Sequence, residues 1–257
     1  PRYGTLHDLK VINAASVIAG PFVCELFAEQ GANVIELESV KAPDMYRMYG
    51  DAWSMDRRNQ RMMTLDIPSD EGKRVLFRLI EDADLLVESS KGGTWKKWGI
   101  TDEVLWEVNP ALVILHITGF GSYGDPAYVG RASFDPIGQA FSGYANLNGF
   151  PGTPPGVTKP FTGDFVTGLM GAWAALAAVM NARSTGEGES IDCCQFEALV
   201  RLQGATLSDG INHGIQPPRI GDEDLVGACA GAQKCLNGYC QVAVGGFGPV
   251  QKLVEFF

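Results

Sequence analysis

The feature that most constrains the fold is an alternation of β-rich and helical segments that continues to about residue 120. The β-rich stretch LKVINAASV (9–17) precedes the helical stretch AGPFVCELFAEQGA, and a second β-rich stretch, NVIELES, follows. Pro21 suits the first turn of a helix, and Gly31 suits a helix C-terminus. This order of segments predicts a βαβ unit with parallel strands.

The same alternation occurs again further along the chain. The segments MMTLDI, SDEGKRVLFRLIEDA with Ser69 as N-cap, DLLVESS and LVILHITGF follow one another. The pattern predicts a Rossmann-like α/β fold with a doubly wound, mostly parallel sheet. Ligands of such sheets bind outside the carboxyl ends of the strands, which marks the loops 16–21, 38–41, 88–93 and 118–124.

Beyond residue 134 the pattern becomes helical, and its longest helical segment is 164–183. One face of this segment carries large apolar residues and a second face carries mostly small ones, so we expect the helix to be buried all round. The large residues are Phe165, Leu169, Trp173, Leu176 and Met180, and the small-residue face is Gly168, Ala172, Ala175 and Val179.

A change in composition near residue 218 predicts a domain boundary. A strand in GESIDCC and a helix in QFEALVRLQGATL precede it, and a linker into the glycine-rich β segment GYCQVAVGG follows it. We therefore expect a large domain over 1–218 and the start of a smaller α+β domain over 219–257, with more of this domain beyond Phe257.

Composition excludes several classes of function. The net charge of −10 disfavours a nucleic-acid binder and an anionic membrane surface. No signal peptide or membrane span is predicted, so a cytoplasmic location is expected. With three histidines and no CxxC spacing, a metal site is not expected. The absence of GxGxxG, P-loop and GxSxG motifs disfavours NAD, a nucleotide P-loop and a serine nucleophile.

Asp164, within KPFTGDFVTGLMGAW, is a candidate nucleophile that needs no histidine. A carboxylate with an ordinary pKa near 4 is ionised at pH 7, and aspartate is a known covalent nucleophile. The dipole at the start of a helix would stabilise its charge. The same position also suits an N-cap, and the residues alone leave both interpretations open.

Two basic segments stand out in this acidic protein. VESSKGGTWKKWG (87–99) places Lys91, Lys96 and Lys97 after a strand, with Trp95 and Trp98 among them. It suits either a phosphate site with indoles stacking on a base, or a solvated turn. The second segment, RRNQR (57–61), is more typical of a solvated face than of a site.

At these stretches the sequence resembles the class III CoA-transferases, the CaiB/BaiF family, and most closely the branch of carnitine and bile-acid CoA-transferases. The resemblance covers residues 9 to 245. It is carried by IAGPFVCELFAEQGANVIELE, RRNQRMMTLDI, VESSKGG, GITDEVLWEVNP, GFGSYGDPAYVGRASFDPIGQAFSGY, FTGDFVTGL and GEGESIDCCQFEAL.

The resemblance implies a CoA transfer between carboxylic acids through an aspartyl anhydride and an aspartyl-CoA thioester. It assigns the nucleophile to Asp164 and implies coenzyme A contacts at Lys91, Lys97, Arg61 and Arg131, where Lys97 replaces an arginine usual in the family. It also implies an interlocked homodimer. Backbone N–H groups near Gly163, 227–231 and 245–248 are our candidates for oxyanion donors.

Two alternatives remain at this point. An α-methylacyl-CoA racemase resembles the same family but uses a histidine where this chain has Phe134, between Ser133 and Asp135. That pathway therefore lacks its base. A catalytically silent CoA-binding scaffold is the other alternative. The identity of the acyl group is left open, with carnitine-like and bile-acid-like acids as the expected classes.

Overall fold

A computed structural model describes residues 3–223 and 228–256 of the chain. The first half alternates strands and helices. Its elements are β1 (Lys10–Ala14), α1 (Ala19–Glu29), β2 (Asn33–Glu38), a 3-10 helix (Met45–Tyr49), α2 (Asp51–Asp56), β3 (Arg61–Thr64), α3 (Asp70–Ile80), β4 (Leu85–Glu88), α4 (Thr94–Lys97), α5 (Asp102–Val108) and β5 (Val113–Thr118).

The second half is mainly helical, as predicted. Its elements are α6 (Asp135–Phe141), α7 (Tyr144–Leu147), α8 (Thr162–Thr185), β6 (Ser190–Cys194), α9 (Gln195–Leu202), α10 (Ala205–His213), β7 (Ala228–Cys235), β8 (Gly238–Val244) and α11 (Phe247–Phe256). Gly204, with a left-handed φ of 55°, separates α9 from α10, so the single helix expected there is two.

The main sheet has six parallel strands in the order β3-β2-β1-β4-β5-β6. This confirms the prediction of a parallel α/β sheet. Its central strands are almost wholly apolar because helices cover both faces. Val11, Leu85 and Val113 are fully buried in one core cluster, and Leu86 and Ile114 are fully buried in the cluster on the other face. The predicted N-cap is also confirmed, since Ser69 accepts a hydrogen bond from the N–H of Gly72.

Helix α8 packs on the sheet through its small residues rather than all round. A Cβ at Gly168 would lie 2.9 Å from the carbonyl oxygen of Ala19, and one at Gly171 would lie 3.0 Å from Ile117. Their absence lets α8 lie close to α1 and β5. The prediction of burial on both faces is wrong, because Leu169 and Met180 are exposed and Trp173 is 77% exposed.

By length and composition α8 could span a membrane, since its most apolar window has a mean hydropathy of 1.5. The sequence analysis did not predict such a helix. Ala175, Ala178 and Val179 are buried in the core that α8 shares with the sheet. Long core helices of globular domains have the same composition, so the length of α8 is weak support for a membrane span.

The segment after residue 218 forms an antiparallel hairpin of β7 and β8, followed by α11. Its sheet is separate from the parallel sheet. Before the hairpin, the N–H of Gly221 donates to the carbonyl of Gly149, and the Arg219 guanidinium donates to Asn146. The domain boundary near 218 stays a prediction, and the part of the predicted linker at 224–227 lies outside the described residues.

Candidate active site

A cleft of about 720 Å³ opens at the carboxyl ends of the parallel strands. It lies where the strand order reverses, between β1 and β4, and connections that leave in opposite directions create a crevice at such a point. The loops after β1, β2, β4 and β5 contribute to its walls. The predicted position of the ligand site at these strand ends therefore coincides with the cleft.

Asp164 lines this cleft and is 8% exposed. It is in the first turn of α8, whose N-cap position is Phe161, and no side chain caps the helix there. The interpretation of Asp164 as an N-cap is therefore wrong. Its position near the helix start keeps the favourable dipole while leaving the carboxylate directed at a ligand cavity.

The partner of Asp164 is Gln195, the first residue of α9. The Nε2 atom of Gln195 donates to Oδ1 of Asp164 at 2.5 Å, and its Oε1 atom accepts from the hydroxyl of Ser133 at 2.8 Å. Gln195 is 5% exposed, and a Cβ at Gly138 would lie 2.5 Å from its Oε1 atom. The glycine therefore makes room for the amide beside the carboxylate.

A second buried carboxylate, Asp135, holds the start of α8. Its Oδ1 atom accepts from the N–H of Gly163 at 2.6 Å, and its Oδ2 atom accepts from Nε2 of Gln139 at 2.8 Å. Gln139 in turn accepts the N–H of Thr158, which ties down the glycine- and proline-rich loop before α8. Asp135 therefore occupies the N–H of Gly163 itself, and an oxyanion donor among the other amides near Gly163 stays a prediction.

The environment of Asp164 weakens its acidity. Burial, and secondly the negative charge of Asp135, raise the pKa of Asp164 to about 7, while the hydrogen bond from Gln195 acts in the opposite direction. The expectation of an ordinary, fully ionised carboxylate is therefore wrong. Near neutral pH the two protonation states coexist, a property that is common among catalytic groups.

A buried ion-pair network fixes the backbone of the loop between β1 and α1. Val17 has a left-handed φ of 67°, which is strained for a β-branched residue. Its N–H donates to Asp44 at 2.9 Å, and its carbonyl accepts from Arg57 at 2.9 Å. Arg57 also pairs with Glu36 at 3.0 Å and with Asp44 at 2.9 Å. The backbone of Val17 is thus fixed from both sides.

The interpretation of RRNQR as a solvated face is wrong for its first residue. Arg57 is 4% exposed, and the neighbouring Arg58 pairs with Glu25 at 2.5 Å and with Glu29. The two acidic partners of Arg57 compensate the charge that is buried with it. Arg57 therefore supports the loop that contains Val17, and neither Arg57 nor Arg58 is part of the cleft lining.

The loop after β4 is supported by a charged histidine. His116 contacts Glu88 through Nδ1 at 2.8 Å and Asp102 through Nε2 at 3.1 Å. Burial alone would lower the pKa of His116, but its hydrogen bonds to Asp102 and Glu88 outweigh burial and raise the pKa to about 10. The other oxygen of Glu88 accepts the N–H of Ser90 at 2.7 Å, which fixes the loop just before Lys91.

The predicted cationic contacts divide into two groups. Lys91 and Arg131 line the cleft, together with Lys41, which the sequence analysis did not select. Lys97 is exposed on the short helix α4 and is not part of the lining. Arg61 begins β3 at the amino end of the strand and bonds Asn33. Arg61 therefore lies at the amino ends of the strands, whereas the cleft lies at their carboxyl ends.

The cleft also has an aromatic wall and lacks a histidine. Trp95 and Trp98 both line it, with ring centroids 6.1 Å apart. Phe134, at which the resemblance to racemases would imply a histidine, lines the cleft beside Ser133. No histidine is among the lining residues within 3–223 and 228–256. The arrangement suits a carboxylate nucleophile and an anionic ligand with an aromatic base.

The remaining candidate oxyanion donors, within the described residues, are not part of the cleft lining. Residues 228–231 belong to β7, and 245–248 lie between β8 and the start of α11. Neither range lines the cleft, and residue 227 lies outside the described part of the chain. Sequence analysis missed Gln195 and the N–H binding role of Asp135, because no local pattern distinguishes them from surface polar residues.

Comparison with known proteins matches the chain to one family over almost its whole length. The profile described as CoA-transferase family III matches residues 6–257. The bile acid CoA-transferase BaiK of Clostridium scindens is 42% identical over 254 residues, which is 98% of this chain. The chain spans 57% of the length of that curated relative.

Solved structures agree with this match. A CAIB/BAIF family protein from Brucella suis superposes with a TM-score of 0.88 at 29% identity, covering 99% of this chain and 70% of that one. Rv3272 from Mycobacterium tuberculosis superposes with a TM-score of 0.84 at 22% identity, covering 99% and 68%. The second likeness concerns the fold alone.

Proposed function

Because this chain belongs to CoA-transferase family III, we propose that the protein moves coenzyme A from an acyl-CoA thioester to a carboxylic acid, with Asp164 as the nucleophile. The observation that carries the proposal is the Asp164 carboxylate itself. It lines a large cleft at the switch point of the sheet, and within the described part of the chain the hydrogen bond of its side chain is to Oδ1, from Gln195. A group in this position can attack without a separate base.

The reaction would proceed through two kinds of covalent intermediate. One oxygen of Asp164 attacks the thioester carbon, the C–S bond breaks, CoA leaves as a thiolate, and a mixed anhydride remains. The thiolate then attacks Cγ of Asp164, and the donor acid leaves as a carboxylate. The acceptor acid displaces CoA from Asp164 in the same way, and CoA returns to the acceptor's acyl carbon, which frees Asp164.

Coenzyme A would be held by the cations of the cleft. Lys41, Lys91 and Arg131 are the groups available for its phosphates, and Trp98, which is more exposed than the buried Trp95, suits stacking against its adenine. A protein with a net charge of −10 needs such a local cluster to bind a polyanion. Lys97 remains a predicted contact nearby, whereas Arg61 is left out of the proposed site because of its position.

The relative named as a bile acid CoA-transferase supports bile-acid-like acids as substrates, with carnitine-like acids as the second class. The interlocked homodimer and the cytoplasmic location are part of the same proposal. A panel of acyl-CoA donors and free acids, assayed with the full-length protein, would identify the pair of acids.

The test of the proposed function is the variant Asp164→Asn, which keeps the shape but removes the nucleophile. We expect CoA transfer to be abolished and CoA binding, measured by calorimetry, to persist. Unchanged turnover would refute the nucleophilic role. The alternatives give different results: a racemase would introduce solvent deuterium at Cα of the acyl group, and a scaffold would bind CoA without any protein adduct.

A further inference from the structure

The enzyme's own carbonyl needs an oxyanion donor as much as the substrate's carbonyl does. When CoA thiolate attacks Cγ of the Asp164 anhydride, the electron pair of the C=O bond moves onto an oxygen of Asp164. The same oxygen carries negative charge again when the acceptor carboxylate attacks the thioester. A donor within about 3 Å of that oxygen would lower both barriers.

Gln195 supplies such a donor from a side chain. Its Nε2 atom lies 2.5 Å from Oδ1 of Asp164, and both residues are buried. Buried donors act in a low-dielectric environment, where they stabilise a developing charge more strongly than in water. The other carboxylate oxygen, Oδ2, has no such contact with Gln195.

Two contacts agree on the orientation of the Gln195 amide. An ionised carboxylate can only accept, so the NH₂ group faces Asp164, and the hydroxyl of Ser133 donates to Oε1 of Gln195 at 2.8 Å. Gly138 lies so close to Oε1 that a methyl group there would displace the amide. Two neighbours therefore hold the donor in the position where the charge develops.

Building on the proposed function, we infer that Gln195 is a catalytic residue that stabilises the oxyanion on Asp164 Oδ1 in the steps where CoA enters and leaves the aspartyl group. Oδ2 is then the attacking oxygen and becomes the bridging atom of the anhydride. When the thiolate attacks Cγ, the Cγ–Oδ2 bond breaks and the donor carboxylate departs with that oxygen. Oδ1 remains on the enzyme and keeps its bond to Gln195 throughout.

Gln195 should affect the two half-steps of the first transfer, formation of the anhydride and formation of the aspartyl-CoA thioester, differently. Attack of Asp164 on acyl-CoA places the oxyanion on the substrate, so in that step Gln195 only favours the ionised form of Asp164 and does not stabilise the oxyanion. Attack of the thiolate on Asp164 places the oxyanion on Oδ1, so that step depends on Gln195. Loss of one oxyanion donor lowers a rate by about a hundredfold to a thousandfold.

The experiment compares the two adducts in Gln195→Met. The full-length variant is mixed with acyl-CoA, quenched in acid and analysed by intact-protein mass spectrometry. Wild-type protein is expected to accumulate the Asp164-CoA thioester, and the variant to accumulate the acyl anhydride instead, with thioester formation about a hundredfold slower. Gln203→Met is the matched control, since Gln203 is the C-cap residue of the same helix and donates to the carbonyl of Ser142.

Each outcome decides a separate question. Thioester formation at the wild-type rate in Gln195→Met would overturn the inference, and so would an equal slowing of both adducts, which indicates a structural role. Should that variant fail to fold, Ser133→Ala tests the same prediction, because it leaves Gln195 in place but frees its amide to turn. If wild-type protein forms neither adduct, the proposed function itself fails, and the inference fails with it.

Discussion

The Oδ1 atom of Asp135 accepts the N–H of Gly163 at 2.6 Å, so one buried carboxylate holds the start of the helix that presents a second, Asp164. The two acids have different roles because their contacts differ. Asp135 is 1% exposed and binds Gly163 and Gln139, whereas Asp164 lines the cleft. Asp135 therefore sets the position of Asp164 and also raises its pKa.

The activity of the wild-type protein should depend on the ionisation of Asp164. Burial raises the pKa of Asp164 to about 7, and only the ionised form attacks. We therefore expect kcat/KM for acyl-CoA to rise as the pH increases through about 7. A pH–rate profile measures this directly. An acid limb near the ordinary aspartate value of about 3.9 would contradict the raised pKa.

The same shift has a consequence for stability. The folded-state pKa of Asp164 is raised above its unfolded value, so its contribution to stability is present below the unfolded pKa and is lost as pH rises through about 7. Asp164→Asn does not undergo this loss. Its melting temperature, relative to wild type, should therefore increase between acidic and mildly alkaline pH. A difference in melting temperature between Asp164→Asn and wild type that stays constant with pH would contradict the raised pKa of Asp164.

Replacing the charge of Asp135 should move the pH profile. In Asp135→Asn the negative charge that raises the pKa of Asp164 is absent, so the acid limb of kcat/KM should shift to lower pH. The asparagine oxygen can still accept the N–H of Gly163, but its NH₂ group then faces the NH₂ group of Gln139, and two donors cannot bond to each other. A lower melting temperature is therefore also expected. An unmoved acid limb would show that Asp135 does not act through charge.

The buried Arg57 network should be important for stability. Arg57→Met leaves Glu36 and Asp44 buried without their partner, which typically costs about 3–5 kcal/mol of unfolding free energy. Denaturant unfolding measures the loss. Arg74→Met is the control, because the Arg74–Glu71 pair is exposed and such pairs contribute at most about 1 kcal/mol. Equal effects of the two substitutions would refute the role of the network.

The position of the cations predicts which of them affect coenzyme A binding. Lys91→Ala and Arg131→Ala should each raise the KM for acyl-CoA by about tenfold, as expected for the loss of one charge-assisted hydrogen bond. Added salt should weaken binding further, because exposed charges are screened. Arg61→Ala should leave KM unchanged, since Arg61 lies at the amino end of β3. A tenfold increase in KM for acyl-CoA in Arg61→Ala would show that Arg61 does contribute to coenzyme A binding.

The sheet and the location of the cleft could be predicted from the sequence because both depend on local patterns. The apolar run of β5 and the capping serine at Ser69 are readable without tertiary information. The strand-end rule then marks the loops 16–21, 38–41, 88–93 and 118–124, which all contribute residues to the cleft. Asp164 was also selected, although its capping role and its ordinary pKa were not confirmed by the structure.

The contacts of Asp164 could not be predicted, because they join residues far apart in sequence. Gln195 reaches Asp164 across 31 positions, and Asp135 reaches Gly163 across 28. Nothing in QFEAL distinguishes a glutamine that points into a cleft from one that faces solvent. Arg57 was misjudged for the same reason, since its acidic partners Glu36 and Asp44 come from other elements.

The close contact of α8 with α1 limits how this protein can vary. Gly168 lies against the Ala19 carbonyl and the Phe22 ring, so any larger residue would push the start of α8 outward. Asp164 is therefore held at a position that is set by the packing of α8 on α1. In the proposed reaction, a change of acid substrate would then have to be accommodated by the loops around the cleft, while Asp164 stays in place.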